Sequence, residues 1–422
     1  MQVNQQLEIE SARMRLIAQR LDSWPKLAWV AHLTPETDTV MVHHGPGVEF
    51  GDGWVAEAVW AGDFASGDFD RTDLVFGTGV RCRGDRVVFV SSGTVLDRLC
   101  CAKQAGSYYV SNSLPALLAV TGMSLCDDYS HYEQDLSTIC GGLGSYNRVL
   151  PAEHGEIRLV YFDNLVFDGQ GVTETPKPDT TPQFNSYSVY RGYLTETTKR
   201  LAANMNDPLR RQQVTPLATV SSGYDAAVAG VIAQEAGSRR AVTIRKATSI
   251  WRGSDSGEEI ARHLGLDCKT CDRTARRFPH EESIWSHVSR PGIINWTLFD
   301  YPETLCLLFT GCHGDKVWER NAKRLADPFS IPSLGQVGVG EFRLIQGFFQ
   351  CAVPYWGIRH LEQIQSLADA PEMAPWTLDN EYDRPVPRRI VEEAGVPREA
   401  FGQRKKNTSH EAGFLWPYSV DS

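Results

Sequence analysis

Two short turns each combine small residues with one carboxylate, which suits the binding of a phosphate and a metal ion. The first turn, SSGYD (residues 221–225), follows an apolar run and leads into an alanine-rich segment. A strand that passes directly into a helix in this way points free backbone N–H groups toward an anion. Asp225 would then favour a magnesium ion held between its carboxylate and a phosphate. A helix N-cap without a ligand would explain the same residues.

A second turn of the same kind lies further along the chain. The segment LLFTGCHGDKVWER (residues 307–320) is an apolar run that ends in a glycine-rich turn with Asp315. In a doubly wound sheet the carboxyl ends of the strands meet at one edge, where ligands bind. Two such turns predict one shared site for a metal-bound nucleotide, with Asp225 and Asp315 as the magnesium ligands.

The segments around these turns alternate between strand and helix patterns. Strands are predicted at 215–220, 240–244 and 305–310, and helices at 225–235 and 256–264. This alternation is typical of a parallel sheet covered by helices.

The pattern differs before residue 169. Short apolar runs such as WVAEAVW and DRVVFVSS are separated by Gly, Asp and Asn, as in an antiparallel sheet protein with few helices. Residues 169–186, GQGVTETPKPDTTPQFNS, are rich in Pro, Thr and Gly and are predicted to be a linker. We therefore expect one domain at residues 1–168 and a second at 187–422.

The order and spacing of these motifs resemble the asparagine synthetase family, which includes the β-lactam synthetases. The stretch SSGYDAA (221–227) resembles the family's pyrophosphate loop SGGxDSS, and TGCHGDK (310–316) falls where the family has SGxGxDE. In the first half, residues 97–122 and 146–164 resemble the hairpin, helix and closing strands of the family's glutaminase-type domain. The resemblance implies an α/β protein with a degenerate Ntn-hydrolase-like α+β sandwich, followed by a parallel-sheet, HUP-like ATP-pyrophosphatase domain with a helical C-terminal part.

The resemblance also implies roles for individual residues. Asp225 and Asp315 would bind Mg²⁺, and Lys405, in a segment similar to the family's RxKxxFS, would neutralise charge on the phosphates and on the developing oxyanion. Lys405 is also compatible with a basic surface turn. The residues that would contact ATP are Ser221, Ser222, Gly223, Asp225, Val242, Ile244, Thr310 and Gly311.

Cys312 and His313 would face the reacting centre. Cys312 corresponds to the position that carries a catalytic glutamate in asparagine synthetases and a tyrosine in β-lactam synthetases. A histidine has the ordinary pKa of a general base near neutral pH, so His313 is the candidate base. A loop histidine that forms structural hydrogen bonds alone is the alternative.

Two departures from the family affect function. Gln2 follows Met1 and no cysteine occurs before Cys82, whereas the family's glutaminase uses a cysteine directly after the initiator methionine, so we expect no glutamine hydrolysis. Ala226 and Ala227 replace two serine donors to the phosphates, each worth roughly 1.5–3 kcal/mol. The cationic run RKK at 404–406 would compensate for that loss.

The resemblance implies an ATP-dependent, AMP-forming amide ligase. A substrate carboxylate would attack the α-phosphate of Mg-ATP, and an amine or ammonia would then displace AMP from the acyl-adenylate. The altered motifs favour a specialised biosynthetic substrate. Two alternatives stay open: a non-catalytic or regulatory protein that keeps the fold, for which Ala226 and Ala227 argue, and an enzyme that modifies a nucleobase or tRNA with the same ATP loop.

Composition excludes several other classes of protein. A formal net charge of −10 argues against a nucleic-acid backbone as the general partner. The resemblance implies small-molecule carboxylate and amine substrates, and a homodimer stays open. No apolar run approaches the roughly 20 residues that span a bilayer, and the N-terminus lacks a signal-peptide core, which favours a cytoplasmic location. The ten cysteines fit reduced thiols better than a disulfide framework, and the lone CxxC at 268–271 lacks a second motif for a zinc site.

Overall fold

The computed structural model describes residues 14–35, 37–245, 254–271, 299–320, 325, 327–331, 339–378, 380 and 382–403 of the 422-residue chain. Within these ranges the chain forms three sheets, two in its first part and a parallel one in its second part. The prediction of a mixed α/β fold that contains a parallel sheet is therefore confirmed. None of the helices in the described ranges is long and apolar enough to cross a membrane.

The first part consists mainly of short strands joined by tight turns. Its strands are β1 (Arg15–Arg20), β2 (Trp29–Leu33), β3 (Thr39–His44), β4 (Glu49–Gly51), β5 (Trp54–Trp60), β6 (Val75–Arg83), β7 (Arg86–Val90), β8 (Arg98–Gln104), β9 (Ser107–Ser111), β10 (Val149–Ala152), β11 (Gly155–Tyr161), β12 (Asn164–Phe167) and β13 (Val172–Thr175). Seven of them form a sheet in the order β1-β3-β2-β9-β8-β11-β10, and the other six form a sheet in the order β13-β12-β7-β6-β5-β4. Neighbouring strands are antiparallel except β1 and β3.

These two sheets pack face to face. Strand alternation turns Trp29 and Val42 of the seven-stranded sheet, and Val55 and Phe89 of the six-stranded sheet, into one fully buried core. The outer face of the seven-stranded sheet is covered by helix α1 (Leu114–Thr121), which contacts β2, β8 and β9. A second helix, α2 (Tyr132–Ser137), follows in the chain. The first part is thus a β-sandwich with a helical cover.

The segment predicted to be a linker contains a strand. Residues 172–175 form β13, which pairs with β12, so this stretch belongs to the six-stranded sheet. Two residues later Lys177 is buried, and its Nζ donates to Asn164 Oδ1 at 2.6 Å. The chain then enters the long helix α3 (Tyr187–Met205), which begins with Ser186 as its N-cap.

The second part is built around a parallel sheet of five strands. They are β14 (Val214–Thr219), β15 (Arg240–Ile244), β16 (Asp267–Cys271), β17 (Leu305–Thr310) and β18 (Phe348–Ala352), in the order β16-β15-β14-β17-β18. Its helices are α4 (Tyr224–Glu235), α5 (Glu258–His263), α6 (Gly314–Val317), α7 (Gly340–Gln346), α8 (Leu361–Leu367) and α9 (Pro385–Glu393). β14 and β17 are neighbours, with Ala218 opposite Phe309, so their carboxyl ends lie side by side.

The two parts of the chain share one hydrophobic core. Leu27 and Phe76 of the sandwich lie in the same buried cluster as Leu344, Phe349 and Trp356 of the second part. Buried ion pairs also cross the boundary: Arg343 of α7 pairs with Glu57 and Asp97, and Arg210 pairs with Glu49. The parallel sheet is therefore fixed to the sandwich through a shared core, and a second, smaller core on the sheet is formed by residues of the second part alone.

Candidate functional site

The two predicted turns meet where β14 and β17 end. Gly311 packs against the first turn of α4, because a Cβ atom on Gly311 would lie 2.3 Å from the carbonyl carbon of Asp225. Gly314 packs against the side chain of the same residue, and a Cβ there would lie 2.6 Å from Asp225 Cγ. The glycines of TGCHGD therefore allow the second turn to approach Asp225 closely, and the structure brings the two turns together.

The carboxylate of Asp225 is paired with Arg384. Nη1 of Arg384 donates to both Oδ1 and Oδ2, at 2.5 and 2.6 Å. Arg384 is the residue directly before α9, and its side chain is 2% exposed against 24% for Asp225. Although burial opposes its charge, the pKa of Arg384 lies above its ordinary value because of the nearby charges of Asp225, Tyr382 and Asp315. A guanidinium thus lies among the two acids that we expected to bind a metal.

Tyr382 and Asp255 complete this environment. The ring of Tyr382 packs against Tyr224, with centroids 4.9 Å apart, and the Arg384 guanidinium lies 5.2 Å from its centroid. Burial raises the pKa of Tyr382 above its ordinary value, and the charges of Asp225, Asp255 and Asp315 add to this effect while Arg384 opposes it. The tyrosine therefore stays protonated at neutral pH.

The backbone of the first turn is already engaged in part. Ser222 donates through its N–H to the carbonyl of Asp255 at 3.1 Å and through its Oγ to Asp255 Oδ1 at 2.7 Å. The N–H of Gly223 donates to Ser221 Oγ at 3.3 Å, and the carbonyl of Ser222 accepts from the N–H of Gly402 at 2.9 Å. A phosphate in this turn would have to displace these bonds or use other donors.

Cys312 and His313 are both buried. Burial raises the pKa of the Cys312 thiol well above its ordinary value, and the charges of Asp315 and Asp225 raise it further, so the thiol is protonated. His313 has φ 72°, a left-handed conformation that side chains rarely adopt. Its Nε2 lies 3.1 Å from the carbonyl oxygen of Pro328, and its ring stacks on Tyr355 at 5.3 Å.

His313 is neutral in this environment. Burial lowers its pKa, and the carbonyl of Pro328 and the charge of Asp315 offset part of that effect. Because Nε2 then donates to the carbonyl of Pro328, the lone pair lies on Nδ1, which is buried and has no hydrogen-bond partner in the described ranges. Thr310, at the carboxyl end of β17, likewise has a buried Oγ1 for which the described part of the chain provides no partner.

The remaining predicted site residues lie in different environments. Val242 is buried in the core on one face of the parallel sheet with Leu217 and Leu308. Ile244, at the carboxyl end of β15, is partly exposed. Lys405 and the neighbouring residues 404 and 406 lie outside the described residues, so their roles stay predictions.

Asp225 and Asp315 fit a magnesium ion that is bound together with a nucleotide better than they fit a metal ion that the protein holds alone. The turns supply Asp225 and Asp315, and within the described ranges no group of three or more His, Cys, Asp and Glu could hold a metal. Mg²⁺ is commonly held by one or two carboxylates together with substrate phosphates and water. The two acids, together with Thr310 Oγ1, for which the described ranges provide no partner, are compatible with that arrangement.

The sequence analysis missed Arg384, Tyr382 and Asp255. Arg384 lies in the stretch NEYDRPVPRR, within the C-terminal part that we expected to be helical, and Asp255 lies in RGSDSGEE. No local sequence pattern signals this arginine, because its ion pair with Asp225 joins residues that lie far apart in the chain.

Comparisons with known proteins do not extend these observations. No protein-family model matches the chain, and no curated protein matches it significantly. The resemblance to the asparagine synthetase family therefore rests on the motifs quoted above, and what it implies is developed below as a proposal.

Proposed function

We propose that the chain is an ATP-dependent, AMP-forming amide ligase with an asparagine-synthetase-like architecture, in which an Ntn-like sandwich is followed by an ATP-pyrophosphatase domain. The observation that carries this proposal is the close packing of Gly311 and Gly314 against Asp225 at the carboxyl ends of β14 and β17. Ligands of open parallel sheets bind at this edge. The two acids there fit the magnesium of an ATP complex.

The proposed chemistry has two steps. An oxygen of the substrate carboxylate bonds to the α-phosphorus of ATP, and the bond from that phosphorus to the bridging oxygen breaks, which releases pyrophosphate. The nitrogen of an amine or ammonia then bonds to the acyl carbon, loses a proton to a base and displaces AMP. Bound Mg²⁺ would neutralise charge on the phosphates.

The chain's own residues would bind and orient the reactants. Asp225 and Asp315 would hold the metal, Thr310 Oγ1 would donate to the nucleotide, and Lys405 would neutralise the leaving pyrophosphate. The first turn would line the phosphates, with Arg384 contributing a further cation. His313 is a less accessible base than its sequence position implies, because its Nδ1 is buried.

The sandwich would contribute no glutaminase activity. Burial raises the pKa of the Cys82 thiol to about 11 and that of Cys101 to about 12. Thiols that stay protonated at neutral pH are poor nucleophiles. We therefore propose that the amine enters as a substrate and is not released from glutamine within the sandwich.

The test combines ATP binding with pyrophosphate exchange. Mg-ATP should raise the melting temperature of the wild-type protein, and [³²P]pyrophosphate should exchange into ATP when a pool of candidate carboxylic acids is present. Asp225→Asn and Asp315→Asn should each reduce exchange at least 100-fold. Asp38→Asn is the matched control, because Asp38 is an exposed acid of the sandwich that pairs with Arg15. Absence of both the ATP-dependent shift and exchange in the wild type would refute the ligase.

A non-catalytic protein that keeps the fold is the second candidate. It is favoured by the pairing of Asp225 with Arg384 and by the N–H groups of Ser222 and Gly223, which already donate within the protein and are therefore less available to a phosphate. In that case Mg-ATP would bind without exchange for any acid tested, and Asp225→Asn would change binding alone.

A further inference from the structure

We propose that Arg384 is the resident counter-ion of Asp225 and that it opposes divalent-cation binding until a phosphate draws its guanidinium away. The inference rests on the proposed function for the identity of the cation and the phosphate. It adds a residue that links metal binding to nucleotide binding at the same site.

The geometry of the pair supports this role. A single nitrogen, Nη1, contacts both oxygens of Asp225, so the positive charge lies against the two atoms through which a carboxylate binds a metal. A divalent cation on the same carboxylate would be repelled by the guanidinium a few ångströms away. Asp225 nevertheless keeps 24% of its side-chain surface exposed, so an ion can reach it from solvent.

Arg384 is also equipped to change partners. Its side chain is 2% exposed, and its Nε–H is buried without a hydrogen-bond partner in the part of the chain that the structure describes. The Arg384 guanidinium also lies 5.2 Å from the centre of the Tyr382 ring. A guanidinium has five donors that match phosphate oxygens in pairs, so an incoming phosphate would accept from the Nε–H for which the described residues provide no partner.

A consequence is that metal and phosphate assist one another. Without a phosphate, Arg384 neutralises Asp225 and the metal binds weakly. With a phosphate, the guanidinium gains a second anion, and the carboxylate becomes available to the metal. By thermodynamic linkage each ligand raises the affinity for the other by the same factor.

The test uses Mn²⁺, which prefers the same oxygen ligands as Mg²⁺ and is counted directly by the loss of its free electron paramagnetic resonance signal. Without nucleotide, Arg384→Gln should bind Mn²⁺ at least tenfold more tightly than the wild type. Arg384→Lys keeps the charge and should resemble the wild type. Asp225→Asn combined with Arg384→Gln should lose the gain, because the carboxylate is gone.

Equal Mn²⁺ affinity in the wild type and Arg384→Gln would overturn the inference, as would a gain that survives in the double variant. Arg384→Met provides the same comparison if Arg384→Gln does not fold, since methionine fills the buried space beside Tyr382. Pyrophosphate exchange by the wild type is scored separately. Tighter Mn²⁺ binding by Arg384→Gln without exchange by the wild type would support the role of Arg384 and count against the ligase. Exchange by the wild type with unchanged Mn²⁺ affinity in Arg384→Gln would support the ligase and count against the role of Arg384.

Discussion

Replacement of Arg343 by methionine tests whether the sandwich and the parallel sheet unfold as one unit. Arg343 belongs to α7, and its side chain is 1% exposed. Its Nη1 and Nη2 donate to Glu57 at 2.7 and 3.0 Å, and its Nε donates to Asp97 at 2.5 Å. Both carboxylates belong to the sandwich, so this one side chain holds the two parts together through three charged hydrogen bonds.

The expected loss of stability in Arg343→Met arises from the two carboxylates that remain without their cation. Removal of one partner from a buried ion pair destabilises a protein by about 3–5 kcal/mol, because the remaining charge is buried without compensation. Glu57 keeps donors from Thr78 Oγ1 and Asn112 Nδ2, at 2.6 and 3.1 Å, which limits the loss. Burial already raises the pKa of Glu57 against the opposing charge of Arg343, so the variant can also protonate this group.

The assay is urea denaturation followed by tryptophan fluorescence and circular dichroism. The wild type should unfold in one transition, and Arg343→Met should lose about 3–5 kcal/mol and separate into two transitions. The loss should be smaller at pH 5 than at pH 8, because Glu57 takes up a proton more readily at the lower pH. The double variant Glu57→Gln/Arg343→Met should recover part of the loss.

Arg15→Met is the matched control. Arg15 pairs with Asp38 at 3.1 Å, but the two side chains are 70% and 42% exposed, so solvent screens the pair and the change should leave the urea midpoint close to that of the wild type. If Arg343→Met unfolds like this control, in one transition and at a similar urea concentration, the argument that the buried ion pairs fix the two parts together is wrong.

Two further changes test other parts of the fold. Burial raises the pKa of Glu341 from 4.5 to about 6, so its favourable contribution to stability is complete below pH 4.5 and is lost as the pH rises through 6. Relative to the wild type, the free energy of unfolding of Glu341→Gln should increase by about 2 kcal/mol between pH 4 and pH 7 in urea titrations. A difference between the two proteins that does not vary with pH would contradict this. Gly311→Ala should destabilise the protein by roughly 1–3 kcal/mol and weaken the ATP-dependent thermal shift, because the new Cβ meets the backbone of Asp225. The control is Gly192→Ala, at an exposed position of α3 where no atom lies within 4 Å of the added Cβ. This change should stabilise the protein by roughly 0.5–1 kcal/mol. Equal effects of the two alanines would show that the turns do not pack as described.

Several elements could be predicted because they carry a local signal. The strands predicted at 240–244 and 305–310 match β15 and β17, and the helix predicted from 225 begins at Tyr224. Each is an apolar run bounded by turn residues. The helix predicted at 256–264 is shorter, at Glu258–His263, since Ser256 bonds to Glu258 through its side chain and forms a bridge with Ser221.

Other elements depend on distant parts of the chain. β13 is polar and half-exposed along its length, and it is a strand because β12 offers it an edge. β18 follows α7 after a single glycine and places Gln350 inside a buried strand, so it lacks the alternation that predicts strands. CKTC, which has the spacing of metal ligands, is the edge strand β16, where residues three apart face opposite sides.

The residues of the candidate site that directly follow a strand were predicted, and the residue that comes from a distant segment was missed. Asp225 and Asp315 each follow a strand, and adjacent parallel strands bring such residues together. Arg384 reaches Asp225 from a segment without a strand, and no periodic pattern encodes an ion pair between residues so far apart. Its presence means that one of the two predicted metal ligands is already paired with a cation.

The shared core and the buried arginines also determine where this chain can be divided. A protein cut at the start of α3 would present Leu344, Phe349 and the guanidinium of Arg343 to water, and the isolated sandwich would present Glu57 and Asp97 without their cation. Neither fragment would keep the buried contacts that it has in the intact chain. The sandwich therefore supplies part of the core and the counter-ions on which the parallel sheet depends, which is a structural role independent of any chemistry of its own.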